Sequence, residues 1–93
     1  MLTGDTRLSK NGRIPWRIIE DEAVLLDLEE GEVVRLNAVG AEIWNAIDGK
    51  RTLDEIVAHI CCTFEVSQRM AGRNVHRFIK QLLRQELIQE EPL

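Results

Sequence analysis

The hydrophobic pattern of this chain changes its period once, and that change constrains the fold more than any other feature. Short runs rich in β-branched and other apolar residues occupy positions 16–19, 23–28 and 32–36, as is typical of strands. After Leu36 the apolar residues recur every three or four positions, as in amphipathic helices. A chain of 93 residues has room for one core. The sequence therefore predicts a single domain with three strands followed by three helices.

Short polar segments separate the three predicted strands. An acidic turn occupies residues 20–22, and the three-residue loop 29–31 ends in a glycine. Glycine readily adopts the left-handed conformation that such hairpin loops need. We therefore expect the three strands to pair in order, as an antiparallel meander.

The helical half carries recognisable start and stop signals. Asn37 is a good N-cap for the first helix, and Gly49 is expected to end it. Thr52 begins a capping box for the second helix. Ser67 can cap the third helix, which is expected to run to about Gln85. The fold class is thus α+β, with a winged-helix-like layout in which a three-stranded antiparallel meander precedes three helices.

The two ends of the chain are less patterned. Residues 1–13 are polar and offer little apolar surface to offset the entropy of ordering, so we expect a flexible tail there and a domain over 14–93. Residues 86–88 are compatible with a short terminal strand or with a simple packing tail. No segment has the length of a signal peptide or of a membrane-spanning helix, and we expect a cytoplasmic protein.

The residues that usually carry catalysis or bind metals are scattered. Cys61 and Cys62 are adjacent, a spacing that rarely permits a disulfide. His59 and His76 do not form a spaced ligand set with them. No glycine-rich phosphate loop and no nucleophile with a base is recognisable. We expect no enzymatic activity, no metal and no cofactor.

Charge is distributed unevenly along the chain. The formal net charge is −4 and the isoelectric point about 5.1, which argues against a dedicated nucleic-acid-binding protein. The segment 20–32 contains seven acidic and no basic residues. The segment 67–85 contains no acid and five bases, Arg69, Arg73, Arg77, Lys80 and Arg84. At helical periodicity these five form one stripe, which is either a solvated face or a contact for an acidic partner.

Three stretches of the sequence closely resemble the PqqD-like family. They read AVLLDLEEG at 23–31, LNAVGAEIW at 36–44 and IDGKRTLDEIV at 47–57. The likeness extends over roughly residues 15–88. It implies a RiPP recognition element, which is a peptide chaperone domain of the pathways that make ribosomally synthesised and post-translationally modified peptides.

Such a domain binds the leader segment of a precursor peptide and presents the peptide to a modifying enzyme, often a radical S-adenosylmethionine enzyme. The resemblance implies that the leader adds as a strand beside the third strand, against the third helix. It does not distinguish pyrroloquinoline quinone biosynthesis from pathways to other peptide products. The candidate peptide-binding residues are those of the strand and the centre of the basic stripe, Val33, Val34, Arg35, Leu36, Arg73, Arg77 and Lys80.

The residues alone leave alternatives open. The third strand is expected at the edge of the meander, and an open edge can bind a peptide, the chain's own tail or a second copy. The protein is therefore either a monomer or a dimer formed through this edge. A helix, a turn and a basic helix are also the layout of a winged-helix DNA-binding regulator, which is the main alternative function.

Overall fold

The computed structural model describes residues 2–92 and shows eight elements in that range. The central sheet and the three helices follow the predicted order. In chain order the elements are β1 (Leu8–Lys10), β2 (Trp16–Ile19), β3 (Glu22–Asp27), β4 (Glu32–Leu36), α1 (Ala38–Ala46), α2 (Leu53–Phe64), α3 (Gln68–Arg84) and β5 (Ile88–Glu90). None of the helices within residues 2–92 is long and apolar enough to cross a membrane.

The central sheet is the predicted antiparallel meander. Its strand order is β2-β3-β4, so β4 is an edge strand, as expected. The β3–β4 hairpin closes at the pair Asp27↔Glu32, which leaves a loop of residues 28–31, one residue longer than predicted. Asp27 accepts a hydrogen bond from the Glu30 N–H at 3.3 Å inside this loop, and Gly31 has a φ of +67°.

The predicted helix N-caps are confirmed. The Asn37 side chain accepts a hydrogen bond from the Gly40 N–H at 2.9 Å. Thr52 and Glu55 form a reciprocal capping box at the start of α2, and Ser67 caps α3. Each cap satisfies backbone donors that the first turn of a helix leaves without partners. The local sequence therefore fixes where all three helices begin.

The end of α1 differs from the prediction. The helix ends at Ala46, and the N–H of Ile47 closes it by donating to the Trp44 carbonyl at 3.1 Å. Gly49 lies two residues further on, with a φ of +81°. This glycine therefore serves the turn between α1 and α2 rather than the last turn of α1.

The core lies between the central sheet and the three helices. The sheet contributes alternate residues such as Ala23 and Leu25, which are fully buried. Trp44 of α1 is the largest fully buried side chain. The helices complete the core with one apolar face each, which includes Ile43, Ile47, Leu53, Ile56, Ile60, Ala71, Val75, Ile79 and Leu82.

The N-terminal segment differs from the flexible tail that the sequence analysis predicts for residues 1–13. Residues 8–10 form β1, which pairs antiparallel with β5 in the register Leu8↔Glu90 to Lys10↔Ile88. Leu8 is fully buried, and Leu2 is half-buried against the core, so two apolar side chains anchor this mostly polar segment. The same pairing shows that the C-terminal residues form a strand.

Backbone groups hold the residues before β1. The carbonyl of Thr6 accepts from the Leu53 N–H at 2.8 Å, and the carbonyl of Gly4 accepts from the Asp54 N–H at 3.0 Å. Both donors belong to the first turn of α2, where N–H groups lack partners within the helix. Main-chain carbonyls leave no signature in the side-chain sequence, which is why the pattern of residues 1–13 did not indicate this contact.

Lys10 links β1 to the central core. Its ammonium group donates to the Ile47 carbonyl at 2.8 Å and lies 5.1 Å from the ring centre of Trp16 and 5.5 Å from that of Trp44. The two indoles meet edge to face with centroids 6.0 Å apart. Burial lowers the pKa of Lys10, and the carboxylate of Asp48 partly opposes this effect. The aromatic faces and the carbonyl replace part of the water that the ammonium group loses.

Candidate peptide-binding site

The open edge of β4 exposes backbone groups at alternate residues. The Leu26 N–H donates to the carbonyl of Pro15, the residue before β2, at 2.9 Å. Leu26 therefore does not form a hydrogen-bonded pair with Val33, the β4 residue opposite it. Hydrogen-bonded and non-bonded pairs alternate in an antiparallel ladder. Val34 therefore bonds to β3, while Val33 and Arg35 direct their N–H and C=O groups away from β3, toward the open edge.

The side chains of β4 alternate between the two faces of the sheet. Leu36 is buried and Val34 half-buried on the helix-facing side, whereas Val33 and Arg35 are exposed. An added strand would thus find backbone partners at Val33 and Arg35 and apolar contacts at Val34 and Leu36. These four residues are the strand part of the predicted site.

A pocket of about 410 Å³ lies at the C-terminal end of β4. We call it the Phe78 pocket. Its walls come from β4, α1 and α3, and they are mainly apolar, with polar groups supplied by Arg35, Asn37 and Asn74. The lining residues are Arg35, Leu36, Asn37, Val39, Gly40, Ile43, Asn74 and Phe78. The volume and the apolar lining fit an apolar side chain.

Gly40 sets the close approach around this pocket. A Cβ atom at position 40 would lie 3.2 Å from the Leu36 Cβ and 3.4 Å from the Phe78 Cζ. The first distance is shorter than an ordinary van der Waals contact, and the second is at its lower limit. The absence of a side chain at residue 40 therefore lets the start of α1, the end of β4 and the ring of Phe78 come together.

A second pocket, of about 460 Å³, lies at the other end of β4, beside the β3–β4 loop. We call it the hairpin pocket. Gln85, just after α3, lines it, whereas Asn74 and Phe78 line the Phe78 pocket. The chain of α3 therefore runs along β4 in the opposite direction, with a pocket at each end of the intervening groove. The lining of the hairpin pocket consists of Asn11, Arg13, Ile14, Asp27, Leu28, Glu29, Glu30, Gln85 and Glu86.

The three predicted basic residues of α3 lie outside the Phe78 pocket. All three are exposed. At about 100° per residue, Arg77 lies about 60° around the helix from Asn74, and Arg73 lies about 100° from it. Lys80 lies about 120° from Asn74 on the same side, within the stripe, and it lines a pocket near β5. Arg77 is therefore the member of the stripe nearest to the groove, and Lys80 lies about 60° further from it.

Three residues of the groove were not predicted from the sequence. Phe78 shares the apolar face of α3, a position typical of a core residue, although it is only half-buried. Asn74 lies one turn earlier on the same flank, and Gly40 lies within α1. The signal available in the sequence was a polar residue four positions before an aromatic residue at the border of the apolar face of a helix.

No group of three or more His, Cys, Asp or Glu residues within positions 2–92 is arranged to hold a metal ion. His59 Nε2 lies 3.4 Å from a carboxylate oxygen of Glu42 on the neighbouring helix. Cys61 donates its thiol to the Val66 carbonyl at 2.9 Å, and Cys62 is exposed. These contacts link α2 to its surroundings and lie outside the groove.

The family comparison agrees with this architecture. The family model described as "Coenzyme PQQ synthesis protein D (PqqD)" matches residues 22–88, a range that contains the central sheet from β3 onward and all three helices. The chain belongs to the PqqD family. A search of the curated proteins found no match.

Solved structures share the fold. The structure of TbiB1 in complex with the TbiA(beta) leader peptide matches with a TM-score of 0.80 and 29% identity, over 91% of this chain and 99% of that one. The solution structure of the PqqD truncation of Methylobacterium extorquens PqqCD, described as a stand-alone RiPP recognition element, matches with a TM-score of 0.75 and 16% identity over 96% and 95% of the two chains. The structure of the heterocyclase TruD matches with a TM-score of 0.66 and 18% identity, over 92% of this chain and 12% of that one.

Proposed function

We propose that this chain binds a leader segment of a ribosomally made precursor peptide as an added strand on β4 and presents that peptide to a separate modifying enzyme. The observation that carries the proposal is the open backbone of Val33 and Arg35 beside a pocket built jointly by β4, α1 and α3. Membership of the PqqD family and the likeness to TbiB1, whose structure contains a leader peptide, support it.

The backbone and the side chains of the groove have different roles in this proposal. In strand addition the main-chain hydrogen bonds supply affinity, and pockets for alternate side chains supply specificity. The four steps from Glu32 to Leu36 span about 13 Å, so a bound strand of about five residues covers the length of β4. Because side chains alternate between faces, every second residue of that strand enters the groove between β4 and α3.

The two ends of the groove differ in charge, which suggests a polarity for the peptide. The Phe78 pocket has no acidic residue in its lining. The hairpin pocket has four carboxylates, from Asp27, Glu29, Glu30 and Glu86, against the single cation of Arg13. The groove therefore fits a segment with an apolar anchor at the Phe78 pocket and with a neutral or basic residue at the hairpin pocket.

The chain itself acts as a binding module in this proposal and has no turnover of its own. Its partners are the precursor peptide and the enzyme that modifies it, of the radical S-adenosylmethionine type or of another peptide-modifying class. The protein works as a monomer, because the β4 edge is then free for the peptide.

Titration of the ¹⁵N-labelled protein with overlapping synthetic peptides tests the proposal. The peptides cover the leader of a precursor encoded near the gene of this chain. We expect amide shifts at Val33, Arg35 and Asn74 and a dissociation constant in the micromolar range or below, which corresponds to about −8 kcal/mol or better. Failure of every leader peptide to bind contradicts the proposal.

Duplex DNA in the same titration tests the winged-helix alternative. Tight binding at about 0.15 M salt, with shifts confined to the exposed arginines of α3, would assign the basic stripe to nucleic acid instead. Turnover of the peptide by the purified chain without another enzyme would contradict the non-catalytic role.

A further inference from the structure

The face of the central sheet that points away from the helices is apolar and exposed. Ala23 and Leu25 point into the core, so Glu22, Val24 and Leu26, which alternate with them along β3, point outward. The exposed fraction is 51% for Ile19, 38% for Leu26 and 61% for Val33. We call this surface the outer face and define it by the residues that its three strands place there, which are Arg17, Ile19, Glu22, Val24, Leu26, Val33 and Arg35.

The outer face has an ordered pattern of charge. Val24 pairs with Arg17 on one side and with Arg35 on the other, so the three side chains form a row across the sheet with a cation at each end. Two strand spacings separate the two arginines at the backbone, which is about 10 Å. Neither guanidinium group forms an ion pair within residues 2–92. This is notable because the chain as a whole has a net charge of −4.

A depression in the outer face can receive an apolar side chain. It has a volume of about 280 Å³ and lies between β2 and β3. Its lining is Pro15, Trp16, Arg17, Ile19, Val24 and Leu26. An exposed apolar surface with a local cavity and flanking charges is the usual composition of a protein-binding site.

We infer that the outer face docks the peptide-modifying enzyme, through an apolar surface of that enzyme that carries carboxylates about 10 Å apart to meet Arg17 and Arg35. The inference rests on the proposed function, since it needs a bound peptide at the β4 edge. It adds the surface and the chemistry by which the second partner is recognised.

The position of the outer face next to the peptide supports this occupant. Val33 and Arg35 offer their backbone to the peptide edge, and their side chains belong to the outer face. A peptide strand added to β4 would extend the same face by one strand, with every second side chain pointing outward. An enzyme docked there would therefore contact its substrate and the domain together, and the peptide would strengthen the docking.

Charge argues against a second copy of this chain as the occupant. A symmetric dimer places the same surface of each copy against the other. With a two-fold axis near Val24, the arginine row of one copy would lie against the arginine row of its partner. Four guanidinium groups would then meet in rows that contain no carboxylate, because Glu22 lies outside the row, beside Ile19. This arrangement opposes association.

Arg17→Glu tests the inference, with Lys50→Glu as the matched control. Arg17 lies on β2, two strands from the peptide edge, and Lys50 is an exposed residue of the α1–α2 turn. Both substitutions change the net charge equally. The probe is the peptide-modifying enzyme encoded beside the gene of this chain, measured by surface plasmon resonance with and without the leader peptide, and leader binding is measured separately by fluorescence polarisation.

We expect Arg17→Glu to weaken enzyme binding at least tenfold while the affinity for the leader stays within twofold of wild type. Lys50→Glu should leave both affinities within twofold. Equal enzyme binding by the two variants would overturn the inference and leave the proposed function intact. A wild-type chain that binds no leader would instead contradict the proposed function. Sedimentation that shows a dimer disrupted by Arg17→Glu would assign the face to a second copy and overturn the inference.

Discussion

Phe78 connects the core of this protein with its groove. The residue is half-buried and packs against the core cluster, while its ring also lines the pocket at the end of β4. Gly40 allows the ring its position, since a Cβ there would come within 3.4 Å of the ring. One aromatic side chain therefore contributes both to stability and to the surface that a peptide would meet.

We predict that Phe78→Ala weakens leader binding at least tenfold, because the main apolar wall of the pocket is lost. The free energy of unfolding should fall by about 2 kcal/mol, less than for a fully buried phenylalanine. Phe64→Ala is the matched control, because Phe64 is also half-buried against the core but lies outside the groove. Isothermal titration calorimetry and urea denaturation measure the two effects. Equal loss of leader binding in both variants would show that the pocket has no specific role.

Among the elements, α3 has the most divided surface. One face contributes Ala71, Val75, Ile79 and Leu82 to the core, one flank faces the groove through Asn74 and Phe78, and the exposed side carries the basic stripe. Arg73 and Arg77 lie one helical turn apart without an acidic neighbour on the helix, a spacing at which like charges repel by a few tenths of a kcal/mol. An acidic partner would remove this repulsion.

We predict that reversing the charges of Arg73 and Arg77 to Glu slows association with an acidic leader and reduces its dependence on salt, because screening acts within about 8 Å at 0.15 M. The matched control reverses Lys80 and Arg84, which line the pocket near β5. Stopped-flow fluorescence measures the association rate of each variant and its dependence on salt. We expect stability to change by no more than about 0.5 kcal/mol per substitution. If the variant with both Arg73 and Arg77 reversed associates at the wild-type rate, the basic stripe is only a solvated face.

Gly72 is an exception to the helical composition of α3. Glycine inside a helix costs about 1 kcal/mol relative to alanine, and tight packing could have required it. A Cβ at this position would lie 3.9 Å from the Val57 Cγ1, an ordinary contact. We therefore predict that Gly72→Ala raises the free energy of unfolding by about 1 kcal/mol in urea denaturation. A decrease would mean that the space beside α2 is smaller than this distance indicates.

Local signals explain which elements could be predicted. Asn37, Thr52 and Ser67 mark the helix starts because a cap acts within three residues of itself. The position of Phe78 in the groove depends instead on how α3 lies relative to β4, and periodicity alone does not determine that arrangement. The family resemblance indicated the strand edge and the helix, but not which flank of the helix faces the strand. For this reason Lys80 was assigned to the site and Asn74 was not.

At the scale of the whole molecule, the N-terminal and C-terminal segments pair with each other. β1 and β5 form their own two-stranded sheet, and the carbonyls before β1 cap the start of α2. Lys10 then joins this sheet to the tryptophans of the core. The N-terminal segment is therefore a structural part of the domain that carries the groove.

We predict that Leu8→Ala lowers the free energy of unfolding by about 2–5 kcal/mol, as expected for a fully buried leucine. A flexible tail would give a change close to zero. Leu28→Ala is the matched control, because Leu28 is 71% exposed in the β3–β4 loop, and it should have little effect on stability. Urea denaturation followed by circular dichroism distinguishes the two outcomes.

Amide hydrogen exchange at β4 tests strand addition, the central claim, most directly. In the free protein the N–H groups of Val33 and Arg35 face the open edge, whereas that of Val34 bonds to β3. We predict that a saturating leader peptide slows exchange at Val33 and Arg35 at least tenfold, while Val34 is protected with or without peptide. A peptide that binds with unchanged exchange at Val33 and Arg35 would contradict the account, because its backbone would then not be paired with β4.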